Sequence, residues 1–264
     1  MKEDILQTII AHKRIELAAQ EEAVPMAHLV QQLDTPSDGI SMKASLASSL
    51  YGIIAEFKRK SPSKGWINAE ADAAIIPASY ETNGASALSI LTDETFFGGT
   101  LKDIRTARPQ VNLPILRKDF IISEYQLYQA KLIGADAILL IAACLTHQQC
   151  MSLARTAHEL KLEVLLEIHT EAELAYVNDY IDMVGVNNRN LGTFHTDVEN
   201  SFRLAEKLPD NYLLVSESGI SRPETVISLR TAGFRGFLMG EAFMKNSRPG
   251  ETLSHFIHEL KVCL

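Results

Sequence analysis

The sequence predicts an α/β protein: a closed (β/α)8 TIM barrel preceded by an N-terminal helical extension. Short aliphatic runs alternate with longer polar segments of helical period, and the runs end about 20 to 35 residues apart, the length of one strand and one helix. The runs are continuously apolar, as expected of parallel strands covered on both sides. There are eight of them and no G-x-G-x-x-G, which favours a closed barrel over an open doubly wound sheet.

Length and composition fit one large domain. The chain has 264 residues, of which 46% are hydrophobic and 22% are charged, so collagen-like, coiled-coil and wholly disordered chains are excluded. Barrels of this class use about 250 residues as one domain. We expect residues 1–48 to form the helical extension and residues 49–264 to form the barrel, within a single domain overall.

Strands and helices alternate from about residue 50 onward. The predicted strands are 51–57, 86–93, 113–120, 135–143, 162–169, 181–189, 211–219 and 234–242. The predicted helices are 70–83, 101–108, 124–133, 146–160, 171–178, 198–207, 223–231 and 251–262. Gly84, Gly134 and Gly233 predict helix ends, and an N-cap at Ser221 before Pro223 predicts a helix start.

The first 48 residues do not fit the repeat. Ile5, Ile9 and Ile10 predict an amphipathic helix, and Pro25 predicts the start of a second helix near 26–33, before a turn-rich segment at 35–39. A plug at the bottom or side of the barrel and a part of the substrate mouth are equally good interpretations of this extension.

Overall charge, cysteines and hydropathy limit the classes of partner. The chain has 25 Lys and Arg against 33 Asp and Glu, a formal net charge of −8, which favours neither nucleic acid nor an anionic membrane as a partner. Its three cysteines form no C-x-x-C pair and fit a reducing compartment. No signal-peptide pattern or membrane-spanning apolar stretch is present, so we expect a cytoplasmic protein.

Polar side chains collect just after the apolar runs, at the positions that form the ligand-binding mouth of a βα barrel. They are Glu56, Lys58, Asp93, Arg117, Lys118, Asp119, Glu167, His169, Asn187, Asn188, Arg189, Glu217 and Ser218. Strand parity places Glu56 and Lys58 on one face, and Arg117 opposite to Lys118. If Lys118 points inward, it meets a glutamate of a neighbouring strand and forms an acid and base pair. A buried salt-bridge network that fixes strand register is the structural alternative.

Two features predict an anion site. Ser218-Gly219 ends the seventh strand and Gly240 ends the eighth, each just before a helix, and barrel enzymes frequently bind phosphate at these two loops. The basic run 57–65 follows the first strand and contains the hydroxyl donors Ser61 and Ser63. A solvated loop face is the alternative interpretation of this run. A small phosphate ligand fits it better than nucleic acid, because aromatic stacking partners are few.

No metal site is predicted. His147 with Cys150, and His255 with His258, have helical i,i+3 spacing but no further ligand at a recognisable distance. The sequence also contains no G-x-S-x-G, H-E-x-x-H or GxxxxGK[ST] motif.

Seven segments, in this order, resemble indole-3-glycerol phosphate synthase. They are IIAEFKRKSPSKG (53–65), LTDETFFGGT (91–100), PILRKDFII (114–122), LLEIH (165–169), GVNNRNL (185–191), SESGI (216–220) and FLMGEAFM (237–244). The resemblance covers nearly the whole chain and implies a tryptophan-biosynthesis enzyme that uses no metal or organic cofactor. Its substrate would be 1-(2-carboxyphenylamino)-1-deoxyribulose 5-phosphate, converted to indole-3-glycerol phosphate with release of CO₂ and water.

The resemblance also implies catalytic roles. Lys118 is similar to the general acid of ring closure, and Glu167 to its partner in a later proton transfer. Glu56 and Lys58 are similar to the pair that orients the substrate and assists loss of the hydroxyl. Other matched catalytic positions are Asn187, Glu217 and Ser218.

Binding roles are implied in the same way. The residues that would hold the phosphate are Ser61, Gly219 and Gly240. Arg189 and Lys118 would meet the carboxylate of the substrate. The apolar residues that would enclose the aryl ring are Phe96, Phe97, Phe120 and Leu191. The implied partner is therefore a small phosphorylated substrate, and the expected oligomeric state is a monomer, with a weak homodimer as the alternative.

Two positions depart from the family pattern. Asn190 stands where many relatives have Asp, which leaves open whether an acid there is needed to orient Arg189, and Glu241 stands where some have Ser. A phosphoribosylanthranilate isomerase would share the phosphate end but not Lys118 or Glu56-x-Lys58. A barrel kept as a binding module would have lost charges at its mouth.

Overall fold

The computed structural model describes residues 5–33, 38–190, 192–209 and 211–263. Its eight parallel strands close into a barrel, which confirms the predicted fold. The strands are β1 (Ile53–Phe57), β2 (Ala87–Leu91), β3 (Ile115–Lys118), β4 (Ala137–Ile141), β5 (Glu163–Ile168), β6 (Met183–Asn187), β7 (Leu213–Glu217) and β8 (Phe234–Met239). Each strand pairs with the next, and β8 closes onto β1 with Phe237 opposite Ile53.

Both faces of the barrel strands are buried, which explains their continuous apolar character. Ile54, Leu116 and Leu139 belong to a cluster inside the barrel, whereas Ile53 and Leu140 belong to the core between strands and helices. The charged groups of the candidate site occupy the last two positions of their strands. These groups are Glu56, Lys118, Glu167 and Glu217.

Helices cover the outside of the barrel. From the N-terminus they are α1 (Ile5–Ala23), α2 (Met26–Gln32), α3 (Met42–Ser48), α4 (Ile76–Thr82), α5 (Glu94–Phe97), α6 (Leu101–Ala107), α7 (Glu124–Ile133), α8 (His147–Glu159), α9 (Glu199–Ala205), α10 (Pro223–Thr231), α11 (Glu241–Met244) and α12 (Pro249–Cys263). Short 3-10 helices span Arg108–Gln110, Ala142–Cys144 and Glu171–Tyr176.

Some local predictions hold and others are wrong. Helices α7 and α10 have the predicted bounds, and Gly84, Gly134 and Gly233 have the positive φ typical of helix ends. The N-cap of α10 is Arg222 rather than Ser221, because Pro223 occupies the first helical position and Arg222 is extended.

Several predicted helices are shorter than expected, and hydrogen bonds account for two of them. The segment predicted at 171–178 is the six-residue 3-10 helix Glu171–Tyr176, and the Asn178 side chain donates a hydrogen bond to the Tyr176 carbonyl just after its end. The helix predicted from residue 70 starts at Ile76, because the Asp72 carboxylate accepts a hydrogen bond from the Ala74 N–H and turns the chain there.

The N-terminal helices meet both ends of the barrel, so both interpretations of the extension apply, each to a different helix. Met42 and Leu46 of α3 are fully buried in the inner cluster, at the end where strands begin. Helix α1 instead lies at the opposite end, where Ile5, Leu6 and Ile9 line a cavity. The predicted turn at 35–39 falls largely outside the described residues.

Within the described ranges, no helix is both long enough and apolar enough to cross a lipid bilayer.

Candidate active site

A cavity of about 380 Å³ opens at the carboxyl ends of the barrel strands. The candidate site residues from the sequence that line it are Glu56, Lys58, Ser61, Phe97, Lys118, Glu167, Asn187, Arg189, Glu217, Ser218, Gly219 and Gly240. Residues distant in the sequence therefore share one space, because each follows or ends a strand of the same closed barrel.

Lys118 is held between two glutamates in this cavity. Its Nζ lies 3.0 Å from Glu167 Oε2 and 2.5 Å from Glu217 Oε2. Both carboxylates are almost completely buried, and 13% of the Lys118 side chain is exposed. The expectation of a partner on a neighbouring strand is wrong. The three residues lie in the last two positions of β3, β5 and β7, because inward side chains of one barrel layer come from alternate strands.

Burial and neighbouring charges shift the pKa values of these three groups in different directions. Burial opposes the charge of Lys118, but Glu217 and Glu167 outweigh it and raise the Lys118 pKa well above its usual range. Burial also disfavours ionised Glu167, yet the charges of Lys118 and His169 lower its pKa to about 2. For Glu217, burial and the charge of Glu167 outweigh Lys118 and raise the pKa to about 7. Glu167 is therefore the carboxylate that stays ionised, and Glu217 is the one that more readily carries a proton.

Glu56 and Lys58 form a second charged pair beside this cluster. The Lys58 Nζ lies 2.5 Å from Glu56 Oε1, so both side chains point to one face, as strand parity predicts. Glu56 packs against Gly240 at the end of β8, where a Cβ would lie 3.0 Å from the Glu56 Cβ and would collide with its carboxylate. The lack of a side chain at Gly240 therefore leaves room for the Glu56 carboxylate.

The loops after β7 and β1 expose polar groups to the cavity. Ser218 and Gly219 have left-handed φ values of 67° and 78°, and Asn188 Nδ2 supports the turn by donating to the Ser218 carbonyl at 3.0 Å. Ser61 Oγ is buried and has no hydrogen-bond partner among the described residues. Such groups suit an anion.

Comparison with known proteins identifies the family. The family model described as indole-3-glycerol phosphate synthase matches residues 6–260. The chain belongs to the indole-3-glycerol phosphate synthase family. The indole-3-glycerol phosphate synthase of Bacteroides thetaiotaomicron is 64% identical over 258 residues, covering 98% of this chain and 99% of that protein. That of Polaromonas naphthalenivorans is 42% identical over 261 residues, covering 97% and 99%.

Solved structures similar to this synthase-family chain agree on the fold alone. The 3-hexulose-6-phosphate synthase of Salmonella typhimurium has a TM-score of 0.63 at 13% identity, covering 80% of this chain and 99% of that chain. The tryptophan synthase alpha subunit of Legionella pneumophila has a TM-score of 0.61 at 13% identity, covering 84% and 97%.

Several positively charged groups expected at the anion site instead form ion pairs with carboxylates of this chain. Arg117 points away from the cavity, as parity predicts, and its Nη2 lies 2.8 Å from Asp119 Oδ2. Arg59 donates to both carboxylate oxygens of Asp103 at 2.8 Å. The predicted basic loop is in fact a hairpin of Lys60–Ser61 with Gly65–Trp66, so only part of its charge faces the cavity.

Arg189 is oriented by its neighbours rather than by residue 190. Its Nη1 donates to Ser63 Oγ at 3.2 Å, and its backbone N–H donates to Asn187 Oδ1 at 3.0 Å. Asn190 Oδ1 accepts hydrogen bonds from the Gly192 and Thr193 N–H groups at 3.0 and 2.9 Å. Asn190 thus orders the loop backbone, which the oxygen of an Asp would also do.

The apolar wall of the cavity differs in part from the expected aryl pocket. Phe97 and Phe120 line it with ring centroids 5.9 Å apart. Phe96 turns away and meets His12 edge-on, with centroids 5.6 Å apart, and Leu191 lies outside the described residues. The sequence did not single out Ile5, Leu6 and Ile9 as pocket residues; an apolar helix face beyond the repeat was the only signal.

In the described parts of the chain, no group of three or more His, Cys, Asp or Glu side chains is arranged to hold a metal ion. His147 instead packs on Tyr176, with ring centroids 3.9 Å apart, and Cys150 is buried in the core.

Proposed function

We propose that this chain carries out the reaction that its family name describes. It closes the pyrrole ring of 1-(2-carboxyphenylamino)-1-deoxyribulose 5-phosphate and releases CO₂ and water to give indole-3-glycerol phosphate. The arrangement that carries this proposal is Lys118, held between Glu167 and Glu217 in a cavity that apolar residues, the unpaired Ser61 hydroxyl and the Ser218–Gly219 turn also line.

Ring closure needs an acid at the ketone oxygen while the aryl carbon attacks the carbonyl carbon. Lys118 supplies this proton. Its raised pKa keeps it charged, so it polarises the carbonyl before the transfer. Glu217, 2.5 Å away and with a pKa near 7, returns a proton to Lys118 afterwards.

Decarboxylation follows, because the carbon that carries the carboxylate has become tetrahedral and the departing electron pair restores the aromatic ring. Phe97, Phe120 and Ile9 line this part of the cavity and exclude water. Arg189 meets the carboxylate before it leaves.

Dehydration completes the reaction. Lys58 donates a proton to the departing hydroxyl, and ionised Glu167 takes one from the amine side of the ring. Two protons are donated and one is removed, which balances loss of the carboxylate as neutral CO₂. Glu56 orients Lys58, and Asn187 holds the Arg189 backbone in place.

The substrate phosphate binds at the other end of the cavity. Ser61 Oγ, the Ser218 and Gly219 backbone and the Gly240 N–H are the donors assigned to it. Glycine at 219 and 240 lets the phosphate oxygens come close to the main chain.

A monomer in the cytoplasm completes the proposal. Each group assigned to the reaction comes from a single chain, so the site needs no second copy. The extension 1–48 and the barrel act as one domain, because α3 fills the bottom of the barrel and α1 lines its mouth. Light scattering at micromolar concentration gives the mass of one chain if this is correct.

Purified protein and the carboxyphenylamino-deoxyribulose phosphate test the proposal directly. Indole fluorescence and released CO₂ should appear in equal amounts. Glu167→Gln should lower kcat much more than it raises KM. Absence of product from the wild-type chain overturns the proposed activity, and an effect of Glu167→Gln on KM alone overturns the role of Glu167.

A further inference from the structure

His169 is the first residue after β5 and contacts the active-site cluster from behind. It does not line the cavity, and its side chain is 10% exposed. Its Nε2 lies 3.3 Å from Glu167 Oε1 and its Nδ1 lies 3.6 Å from Glu173 Oε2. The imidazole therefore lies at ion-pair distance from two carboxylates, without hydrogen-bond geometry from either ring nitrogen, and only one of these carboxylates belongs to the cavity.

Neighbouring groups fix this histidine in place. Glu173 Oε2 accepts hydrogen bonds from the N–H of His169 at 2.5 Å and of Thr170 at 3.2 Å, in the capping box of the 3-10 helix. Asn200 Nδ2 donates to the His169 carbonyl at 3.1 Å. The loop that carries His169 is thus held on both sides, and the ring keeps its place beside Glu167.

The charged groups that face His169 are all carboxylates. They are Glu167 on β5, Glu173 on the 3-10 helix and Glu217 on β7. Burial opposes a charge on the imidazole, but these carboxylates outweigh it and raise the pKa of His169 above its usual value. Lys118 on β3 is a second cation beside Glu167, at 3.0 Å from its Oε2.

The two glutamates around Lys118 differ in their other neighbours, since a side-chain hydrogen bond with Asn187 and the imidazole of His169 both favour ionised Glu167. Both are buried, both lie within 3.0 Å of the same ammonium, and ionisation of Glu167 raises the pKa of Glu217, so a proton bound to the pair can sit on either member. His169 touches only Glu167. A positive charge beside one member of such a pair moves the shared proton to the other member.

We propose that His169 is a positioning residue that makes these two glutamates unequal: its positive charge keeps Glu167 ionised and leaves the shared proton on Glu217. Glu167 is then free to accept a proton, and Glu217 has one to return to Lys118. This inference rests on the proposed roles of Glu167 and Glu217.

His169→Gln tests the inference because it keeps an N–H donor and removes the charge. We expect kcat near pH 7 to fall about ten-fold with KM within about two-fold, since part of the enzyme then carries the proton on Glu167. Loss of a nearby positive charge also makes the pair hold its proton more tightly. The limb of the kcat/KM profile near pH 7 should therefore move up by about one pH unit.

His158→Gln is the matched control. His158 Nε2 lies 2.9 Å from Asp182 Oδ2, so this histidine also pairs with a carboxylate, but it does not line the cavity. Its pH profile should match that of the wild type.

An unmoved profile in His169→Gln, with or without a drop in kcat or melting temperature, overturns the inference, because a purely structural histidine would leave the titration of the pair unchanged. The infrared band of protonated carboxyl groups follows the same titration without substrate. A wild-type chain that makes no indole product therefore overturns the proposed function, whereas an unmoved infrared titration overturns the role of His169.

Discussion

The ammonium of Lys13 lies 3.1 Å from Asp119 Oδ1, and both side chains are 1% exposed. The same Nζ lies 3.0 Å from Asp93 Oδ2. Lys13 belongs to α1, whereas Asp93 and Asp119 follow β2 and β3. A buried ion cluster therefore attaches the N-terminal helix to the loops next to Lys118, and it explains how α1 keeps Ile5, Leu6 and Ile9 in the cavity wall.

Lys13→Met should lower the free energy of unfolding by about 3 kcal/mol, because it leaves two buried carboxylates without their shared cation. Arg117 still balances Asp119, which limits the loss. Urea unfolding measures the change. Arg14→Met, an exposed position on the same helix, should change stability by less than about 0.5 kcal/mol. Equal effects of the two variants would contradict a stabilising role of the buried Lys13 ion cluster.

Asn188→Ala should both destabilise the protein and weaken substrate binding. The Asn188 side chain donates to Ser216 Oγ and the Ser218 carbonyl and accepts from Ser201, so its removal leaves buried polar groups unpaired at about 1–3 kcal/mol. KM should rise because the Ser218 turn loses its support. Exposed Asn112→Ala is the control, and an unchanged KM in Asn188→Ala would separate this residue from the phosphate loop.

Gly240→Ala should lower kcat/KM about ten-fold or more, because the added Cβ displaces the Glu56 carboxylate. The φ of Gly240 is −128°, so the effect is steric rather than conformational. Gly192→Ala meets its nearest atom at 3.5 Å and should retain activity. Steady-state kinetics of both variants decide the point, and wild-type kinetics in Gly240→Ala would exclude the contact from the mechanism.

The ionisation of Glu217 makes the free energy of unfolding depend on pH. Its folded pKa of about 7 lies above its unfolded value, so its contribution favours folding at acidic pH and is lost as pH rises through about 7. In Glu217→Gln this loss is absent. As the pH rises from 5 to 8, the free energy of unfolding of the variant should increase by about 1–3 kcal/mol relative to that of the wild type. Exposed Glu206→Gln should show no such trend, and a pH-independent difference for Glu217→Gln would be inconsistent with a raised pKa.

The barrel could be predicted from the sequence because each strand, buried on both faces, is a continuous apolar run, and the segments between the strands have polar and apolar residues at helical spacing. Lys118, Glu56 and Lys58 could be placed for the same reason, since strand parity decides which face a side chain takes. The partners of Lys118 could not be predicted in the same way. Side chains from alternate strands come together in one layer only after the barrel has closed.

Long-range ion pairs also escaped prediction. Lys13 and Asp119 are distant in the sequence, and neither position carries a local pattern that points to the other. Arg59 looked free for an anion, yet Asp103 neutralises it from a helix beyond the next strand. A charge run reports residue types, whereas the partners depend on tertiary structure.

Single-turnover kinetics of Lys118→Met test whether Lys118 is the acid of ring closure. Methionine preserves the volume of the side chain and removes the proton donor. We expect the variant to fold, to bind the carboxyphenylamino-deoxyribulose phosphate within a few fold of the wild type, and to form indole product about 1,000-fold more slowly. Product formation within a few fold of the wild-type rate would contradict the assignment of Lys118 as the acid of ring closure.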